Sequence, residues 1–247
     1  MKLSIIVPCH NEEVVLPELL NKCVNILHKL SIIEYEIIIV NDGSTDNTLK
    51  VIKQLITLNN KVIGVNLSRN FGHQYALSAG LSLCTGDRIL IIDADLQDPP
   101  ELLPDMMQLM DEESADVVYG RRVSREGETF FKKTTSHIFY RLLSRLADVE
   151  IPNDSGDFRL ITKRVNDQLL KMPEKQRFIR GMIAWLGFKQ VPIDYIRDKR
   201  YAGVTKYTFR KMAKLAIDGI TSFSISPLKA AITFAFFFSF ISIILMA

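Results

Sequence analysis

The sequence lacks the two common glycine-rich phosphate motifs. Neither G-x-G-x-x-G nor G-x-x-x-x-G-K-[ST] occurs in its 247 residues, which excludes the dinucleotide fingerprint and the P-loop. Cysteine is scarce, with three residues, and the four histidines are scattered without zinc-ligand spacing. The three cysteines lie in apolar segments, so we expect buried free thiols in a reducing compartment.

A large excess of charge of one sign is also missing. The net charge is +3, which does not by itself indicate a nucleic-acid-binding protein, and we expect no nucleic-acid partner. The first apolar run is too short for a secretory signal peptide, and acidic residues follow it at once. Hydrophobic residues make up 47% of the chain, which is enough to form a core and excludes disorder as the main state.

The basic residues are concentrated in two segments. Residues 121–145 carry seven basic and two acidic residues, and residues 197–214 carry seven basic and one acidic residue. Within and after the second segment, six apolar residues fall on one helical face: Phe209, Met212, Ala213, Ala216, Ile220 and Phe223. A basic amphipathic helix of this kind is typical of a segment that lies in a membrane interface.

An uncharged run occupies residues 230–247. A helix of that length is about 27 Å long, close to the ~30 Å hydrocarbon thickness of a bilayer. We therefore expect a globular domain over 1–200, an interface segment over 201–227 and a transmembrane helix over 228–247. We also expect that the membrane segment continues beyond the last residue.

Short apolar runs alternate with amphipathic stretches through the first 120 residues, which is typical of an α/β fold with a parallel sheet covered on both faces. Strands are predicted at Leu3–Val7, Tyr35–Val40, Lys61–Leu67, Arg88–Ile92 and Asp116–Tyr119, with helices near Glu12–Leu30, Asp46–Leu58, Gln74–Leu83 and Pro100–Met110. Further strands are predicted at Phe158–Ile161 and Lys189–Ile196, and further helices at Arg164–Lys171 and Phe178–Trp185.

Acidic side chains follow three of the predicted strands. Ligands of doubly wound sheets bind beyond the carboxyl ends of the strands, so Glu12, Asp42, Asp93 and Asp95 should converge there. Carboxylates packed together repel each other unless a cation or hydrogen-bond donors intervene. Asp93 and Asp95 can reach one ion, and oxygen ligands suit Mg²⁺ or Mn²⁺. Asp42 is better suited to ribose or base hydroxyls.

Four motifs near the strand ends read IVPCHNEE, VNDGSTDNT, LSRNFGHQYALSAG and DADLQDPPE. Together they resemble the family 2 nucleotide-diphospho-sugar glycosyltransferases, which have the GT-A fold, a Rossmann-like, mostly parallel sheet with flanking helices. The motifs GRR, SGDFRL, RFIRGMIAWLGF and RYAGVTKY resemble the polyprenyl-phosphate hexosyltransferase branch, to which dolichyl-phosphate mannose synthase is related. GITSFSISPLK is most similar to the bactoprenol (undecaprenyl-phosphate) glucosyltransferases.

The resemblance implies a set of site residues. For the nucleotide these are Pro8, Asn11, Glu12, Asp42, Ser44, Arg69, Asp93 and Ala94. For the metal they are Asp93, Asp95 and Gln97. For the acceptor phosphate they are Arg122, Lys132, Ser136, Arg200 and Lys206. The candidate catalytic residues are Asp157 and Asp95, where Asp157 would orient or activate the acceptor, bind the donor sugar or hold Arg159.

The implied activity is inverting, Mg²⁺- or Mn²⁺-dependent transfer of a hexose from a nucleotide-sugar donor, glucose from UDP-glucose, to a polyprenyl phosphate acceptor. The expected location is the bacterial inner (plasma) membrane with the catalytic domain on the cytoplasmic side, and a homo-oligomer is expected. The alternatives are a GDP-mannose-dependent mannosyltransferase, a transferase acting on diacylglycerol and a catalytically silent membrane-attached nucleotide-binding protein. A processive polysaccharide synthase is disfavoured because no Q-x-x-R-W signature occurs.

Overall fold

The computed structural model describes residues 1–124, 155–175, 177–196 and 226–246. The strands in these ranges are β1 (Leu3–Cys9), β2 (Tyr35–Asn41), β3 (Val62–Asn66), β4 (Arg88–Ile91), β5 (Val117–Ser124), β6 (Ser155–Thr162) and β7 (Gln190–Ile196). The α-helices are α1 (Leu16–Lys29), α2 (Thr48–Leu58), α3 (His73–Leu83), α4 (Leu103–Glu112), α5 (Lys163–Lys171), α6 (Ile179–Trp185) and α7 (Ser226–Met246). The predicted alternation of strands and helices is confirmed.

The strands form one sheet in the order β3-β2-β1-β4-β6-β5-β7. Four of the neighbouring pairs are parallel, and β6 is antiparallel to both β4 and β5. The predicted mostly parallel α/β sheet with flanking helices is therefore confirmed, with β6 as the strand of opposite direction.

Helices cover both faces of the central strands, which explains why every residue of β1 and β2 is buried. Side chains of α1 share a core with Ile5, Val7 and Ile37 on one face. On the other face α3 packs closely through Gly80, because a Cβ atom there would lie 2.5 Å from Ile6 Cγ2. Cys9 and Cys23 are buried free thiols, as expected, and Cys84 is a half-buried one.

The register of β6 brings its first residues to the edge where β1, β2 and β4 end. Ile91 of β4 pairs with Arg159 of β6, so Asp157 lies beyond the last residue of β4. On the other side of β6, Arg122 of β5 pairs with Tyr195 of β7 near the same edge. Chain segments far apart in sequence therefore meet at one edge of the sheet.

The chain divides into two compact units, Met1–Gly127 with Pro152–Thr205, and Glu128–Ile151 with Lys206–Ala247. The first contains the sheet, and the described part of the second is α7. The predicted boundaries at residues 200 and 227 stay a prediction.

The prediction of a transmembrane helix over residues 228–247 is not supported. The segment is helical over Ser226–Met246, and it exposes large apolar side chains such as Phe236 and Phe238. Among the residues that the structure describes, however, none of the helices is long and apolar enough to cross a membrane. Residues 201–225 of the predicted interface segment lie outside the described ranges.

Candidate active site

The loops after β1 and β2 are joined by side-chain to backbone hydrogen bonds. The Asn11 backbone N–H donates to Ser44 Oγ at 2.9 Å, and Asn11 Oδ1 accepts from the Thr45 N–H at 2.8 Å. The Glu12 N–H donates to Thr48 Oγ1 at 2.9 Å. Three of the predicted nucleotide residues therefore lie together at the carboxyl end of the sheet, and Pro8 lies within β1 beside Val40 of β2.

Asp42 is hydrogen-bonded to the backbone of the loop that leads into α3. Its Oδ1 accepts from the Phe71 N–H at 2.7 Å and its Oδ2 from the Gly72 N–H at 2.9 Å, and its side chain is buried. Both carboxylate oxygens are thus engaged with backbone, so the expected contact with ribose or base hydroxyls would have to share them. Arg69 lies in the same loop, with its guanidinium 4.0 Å from the centre of the Phe71 ring. Gly43, at φ +59°, allows this loop to approach, because a Cβ there would lie 2.3 Å from the Arg69 carbonyl carbon.

The segment Asp93–Asp98 after β4 forms an acidic loop. Asp95 and Ala94 are nearly buried, and Asp95 Oδ1 accepts from the Gln97 backbone N–H at 3.2 Å. Burial raises the pKa of Asp93 to about 6, and the nearby carboxylates of Asp98, Asp157 and Asp95 raise it further. His73 lowers this pKa, but its effect is the smaller one. Asp93 Oδ1 is buried and accepts no hydrogen bond from the described residues. Several carboxylates of this loop therefore lie close together, and the cationic side chains nearest to them among the described residues are His73 and Arg122.

The acidic loop was predicted to hold a metal ion, and its donor chemistry fits Mg²⁺ or Mn²⁺ because it offers carboxylate oxygens. Within the described residues, no group of three or more His, Cys, Asp or Glu side chains is arranged to hold an ion. A site with fewer protein ligands is consistent with Mg²⁺, which is usually bound by one or two carboxylates together with substrate phosphates and water.

Asp157 lies among cationic and donor groups. Its Oδ2 accepts from His73 Nε2 and from Gln74 Nε2, both at 3.1 Å, and its Oδ1 lies 3.5 Å from Arg180 Nε. Burial alone would raise the pKa of Asp157, but Arg180, His73 and Arg159 outweigh it and hold that pKa far below its usual range. Asp157 is therefore a carboxylate at every pH of interest.

His73 joins the two acidic groups. Its Nε2 lies 3.1 Å from Asp157 Oδ2 and 3.5 Å from Asp93 Oδ1. Burial would lower the pKa of His73, but Asp93 and Asp157 outweigh it and raise the pKa to about 9. The imidazole is therefore protonated at neutral pH, so Nε2 carries a proton and donates.

Gln74 extends this group to another helix. While its Nε2 donates to Asp157, its Oε1 accepts from the Ile179 backbone N–H at 2.9 Å, at the first residue of α6. The first residues of α3 thus connect Asp157 of β6 to the start of α6.

Arg122 is the predicted acceptor-phosphate residue that lies within the described ranges. Its guanidinium is mostly buried, donates through Nε to the Tyr195 hydroxyl at 3.1 Å, and lies 3.7 Å from Asp98. It also packs on Gly156, where a Cβ would lie 2.4 Å from Arg122 Nη2. Part of this guanidinium is therefore committed to the protein itself. The other four predicted acceptor residues lie outside the described residues: Lys132, Ser136, Arg200 and Lys206.

Sequence reasoning missed five residues of this site: His73, Gln74, Asp98, Arg180 and Tyr195. His73 and Gln74 lie inside the quoted LSRNFGHQYALSAG motif, and Asp98 inside DADLQDPPE, so the motifs pointed to them without giving a role. Tyr195 carried no local signal, because its partner Asp98 is 97 residues away in sequence.

Comparison with known proteins gives a family and several relatives. Residues 4–170 match the family described as Glycosyl transferase family 2. The chain is 46% identical over 231 residues to the uncharacterized glycosyltransferase YkcC of Bacillus subtilis (strain 168), covering 94% of this chain and 71% of that protein. It is 39% identical over 229 residues to the prophage bactoprenol glucosyl transferase homolog of Escherichia coli (strain K12), covering 93% of this chain and 74% of that protein.

Solved structures share the fold. TarS of S. aureus superposes with a TM-score of 0.54 at 23% identity, over 81% of this chain and 59% of that chain, so this chain spans less than two thirds of it. Glucosyl-3-phosphoglycerate synthase from Mycobacterium tuberculosis, in complex with Mn²⁺ and UDP-glucose, superposes with a TM-score of 0.59 at 18% identity, over 87% of this chain and 75% of that chain. At these identities the likeness supports a GT-A-like fold and no more.

Proposed function

The chain belongs to glycosyl transferase family 2 and is a glycosyltransferase, and from that premise we propose that it transfers glucose from UDP-glucose to a polyprenyl phosphate such as undecaprenyl phosphate. The observation that carries the proposal is the 39% identity to a bactoprenol glucosyl transferase homolog over 93% of the chain. The relative's name specifies both the sugar and a polyprenyl acceptor. The resemblance of the sequence motifs implies UDP-glucose as the donor.

The donor diphosphate belongs beside the acidic loop in this proposal. Asp93 and Asp95 would hold Mg²⁺ or Mn²⁺, with Gln97 as a further oxygen ligand, and a cation there would offset the repulsion between the carboxylates of this loop. When bound, such an ion stabilises the negative charge that develops on the leaving diphosphate. Asn11, Glu12, Ser44 and the other residues at the ends of β1 and β2 would hold the nucleoside.

The acceptor phosphate needs positioning more than it needs a base. Phosphate monoesters have a second pKa of about 6, so much of the acceptor is already dianionic near neutral pH. Bringing it close to an anionic donor requires cationic side chains. Arg122 would supply one, and Lys132, Arg200 and Lys206 further ones, with the Ser136 hydroxyl as a donor. Asp157 would keep His73 and Arg180 in place between the two substrates.

The reaction is a single displacement. An acceptor phosphate oxygen forms the bond to the anomeric carbon while the bond from that carbon to the UDP oxygen breaks, and the electron pair leaves with UDP. One displacement inverts the anomeric configuration. Because the acceptor is a lipid, we place the enzyme at the cytoplasmic face of the bacterial plasma membrane, where the exposed apolar side chains of α7 would suit contact with lipid.

The test is nucleoside diphosphate release by the purified chain. With Mn²⁺, UDP-glucose and undecaprenyl phosphate in detergent micelles, we expect UDP release that stops when either the lipid or the metal is withheld. GDP-mannose in place of UDP-glucose is the matched control. If GDP were released from GDP-mannose and no UDP from UDP-glucose, the sugar in the proposal would be mannose instead of glucose. Release that is independent of the lipid, or absent with both donors, would contradict it.

A further inference from the structure

The Tyr195 hydroxyl lies between two charged groups of the site. It donates a hydrogen bond to Asp98 Oδ1 and accepts one from Arg122 Nε at 3.1 Å. Arg122 Nη2 is 3.7 Å from the same Asp98 oxygen. One hydroxyl thus connects a carboxylate of the acidic loop to a guanidinium of β5.

Asp98 and Tyr195 are both buried, so the hydrogen bond between them contributes to the stability of this part of the site. Asp98 is 0% exposed and Tyr195 is 5% exposed. A buried carboxylate is costly unless it is paired and hydrogen-bonded. Burial, together with Asp98, raises the pKa of the Tyr195 phenol above its ordinary value, so the hydroxyl keeps the proton that it donates.

The tyrosine is held by strand pairing and by two neighbours of its ring. Tyr195 is the register partner of Arg122 across the parallel β5–β7 pair. Its ring meets the Phe158 ring edge to face, with centres 5.7 Å apart, and Phe158 is the neighbour of Asp157. Gly120 lies against the same ring, because a Cβ there would be 2.8 Å from Tyr195 Cε1. The hydroxyl therefore has one well-defined position.

We propose that Tyr195 is a positioning residue, whose hydroxyl holds Asp98, and through it the acidic loop Asp93–Asp98, at a fixed place against β5 and β7. The inference rests on the proposed function, in which that loop receives the metal ion and the donor diphosphate. Tyr195 touches neither substrate in this account. Groups that orient metal-binding residues typically change metal affinity or activity by about 10- to 100-fold when they are removed.

The test is binding of UDP in the presence of Mn²⁺, measured by titration calorimetry on the full chain well below its melting temperature. Tyr195→Phe keeps the ring and removes the hydroxyl, and we expect Mn²⁺-dependent UDP binding to weaken by about 10-fold. Without Mn²⁺, UDP binding by the variant should equal that of the unaltered protein. Tyr35→Phe is the matched control, because Tyr35 is also a buried tyrosine, at the start of β2, and accepts a hydrogen bond from Asn59 at 3.5 Å.

A second variant shows whether the effect passes through Asp98. If it does, the double variant Tyr195→Phe/Asp98→Asn should bind UDP with Mn²⁺ as tightly as Asp98→Asn alone. The reason is that the effects of two substitutions on the binding free energy do not add when the residues are coupled. Equal binding by Tyr195→Phe and the unaltered protein, or full additivity in the double variant, would overturn the inference. Failure of the unaltered protein to bind UDP with Mn²⁺ would instead count against the proposed function.

Discussion

At the scale of single residues, the surroundings of Asp157 indicate what this side chain does. Its pKa is held far below the usual range, first of all by Arg180 and His73 against the effect of burial. A carboxylate with so low a pKa is a poor proton acceptor, since a general base works best with a pKa near the working pH. Activating the acceptor, one of the roles expected for Asp157, therefore fits this environment poorly. In our proposal Asp157 instead keeps His73 and Arg180 in place.

Replacing Asp157 by asparagine should separate binding from turnover. Asp157→Asn keeps the shape but removes the charge that holds protonated His73 and Arg180, so we expect turnover to fall by about 100-fold or more through misplacement of these groups. UDP binding should stay within about 3-fold, because in our proposal the nucleoside lies at the ends of β1 and β2. Steady-state rates and titration calorimetry measure the two effects.

Asp167→Asn is the matched control for this experiment. Asp167 lies on α5 and its half-exposed side chain pairs with Lys163, so both turnover and binding should be unchanged. Normal turnover in Asp157→Asn would remove Asp157 from the residues needed for the reaction.

The sequence predicted which acidic residues lie at the strand ends, because Ile- and Val-rich runs show where each strand stops. It did not predict the partners of these residues. Asp42, for example, was expected at ribose or base hydroxyls, yet its carboxylate also binds the backbone of Phe71 and Gly72. Asp42 and Phe71 are 29 positions apart, so their contact depends on the path of the loop before α3. A local sequence pattern does not specify that path.

At the scale of elements, the segment before and at the start of α3 links the parts of the site. Asp42 accepts a hydrogen bond from the backbone of Gly72, which is the N-terminal cap of α3. The next two residues, His73 and Gln74, contact Asp157. The sequence predicted this helix within a residue at its start. The strand at Phe158–Ile161 was also predicted, but its antiparallel direction was not, because the pattern of one strand does not specify its pairing. That direction is what places Asp157 opposite the acidic loop.

A buried carboxylate stabilises the opposite end of the central strands. Glu36 of β2 accepts from Ser4 Oγ of β1 at 2.6 Å, from the Thr85 N–H at 2.6 Å, and pairs with Lys2 at 2.7 Å. Burial alone would raise the pKa of Glu36, but the hydrogen bonds from Lys2, Ser4 and Thr85 outweigh it and lower the pKa below 4.5. The ionised form thus favours the folded protein.

Glu36→Gln should therefore destabilise the protein in a pH-dependent way. Because the pKa of Glu36 is lower in the folded than in the unfolded protein, the stabilisation from its ionised form is fully present above the unfolded pKa. It is lost as the pH falls through the folded pKa. At pH 7 we expect a loss of about 1.5–3 kcal/mol in the free energy of unfolding, typical of a charged hydrogen-bonded group. Urea unfolding at pH 7 and at a series of pH values below 4.5 measures it.

Glu34→Gln is the control for that series, since Glu34 is exposed two residues away and should change stability little at any pH. A difference between Glu36→Gln and the unaltered protein that stays constant or grows on acidification would contradict the assignment of a stabilising ionised Glu36.

At the scale of the whole molecule, the net charge of +3 conceals two opposed groups of residues. The carboxylates gather at the carboxyl edge of the sheet, where the donor is proposed to bind. In segments 121–145 and 197–214, fourteen basic residues stand against three acidic ones, and the structure describes only residues 121–124 of these segments. Most residues of the proposed acceptor site are therefore assigned from the sequence alone. Arg122 is the one acceptor residue that lies within the described part of the chain.

The central claim is direct transfer of glucose to a polyprenyl phosphate, and the lipid product tests it most directly. Incubation of the chain with UDP-glucose, Mn²⁺ and undecaprenyl phosphate should give a new lipid, for which mass spectrometry measures the mass and proton NMR the anomeric configuration. Because UDP-glucose carries an α-linked glucose, a single displacement predicts a β-linked glucosyl phosphate. A product with retained α configuration would contradict the single displacement, and the absence of any glucosylated lipid would contradict the proposed function itself.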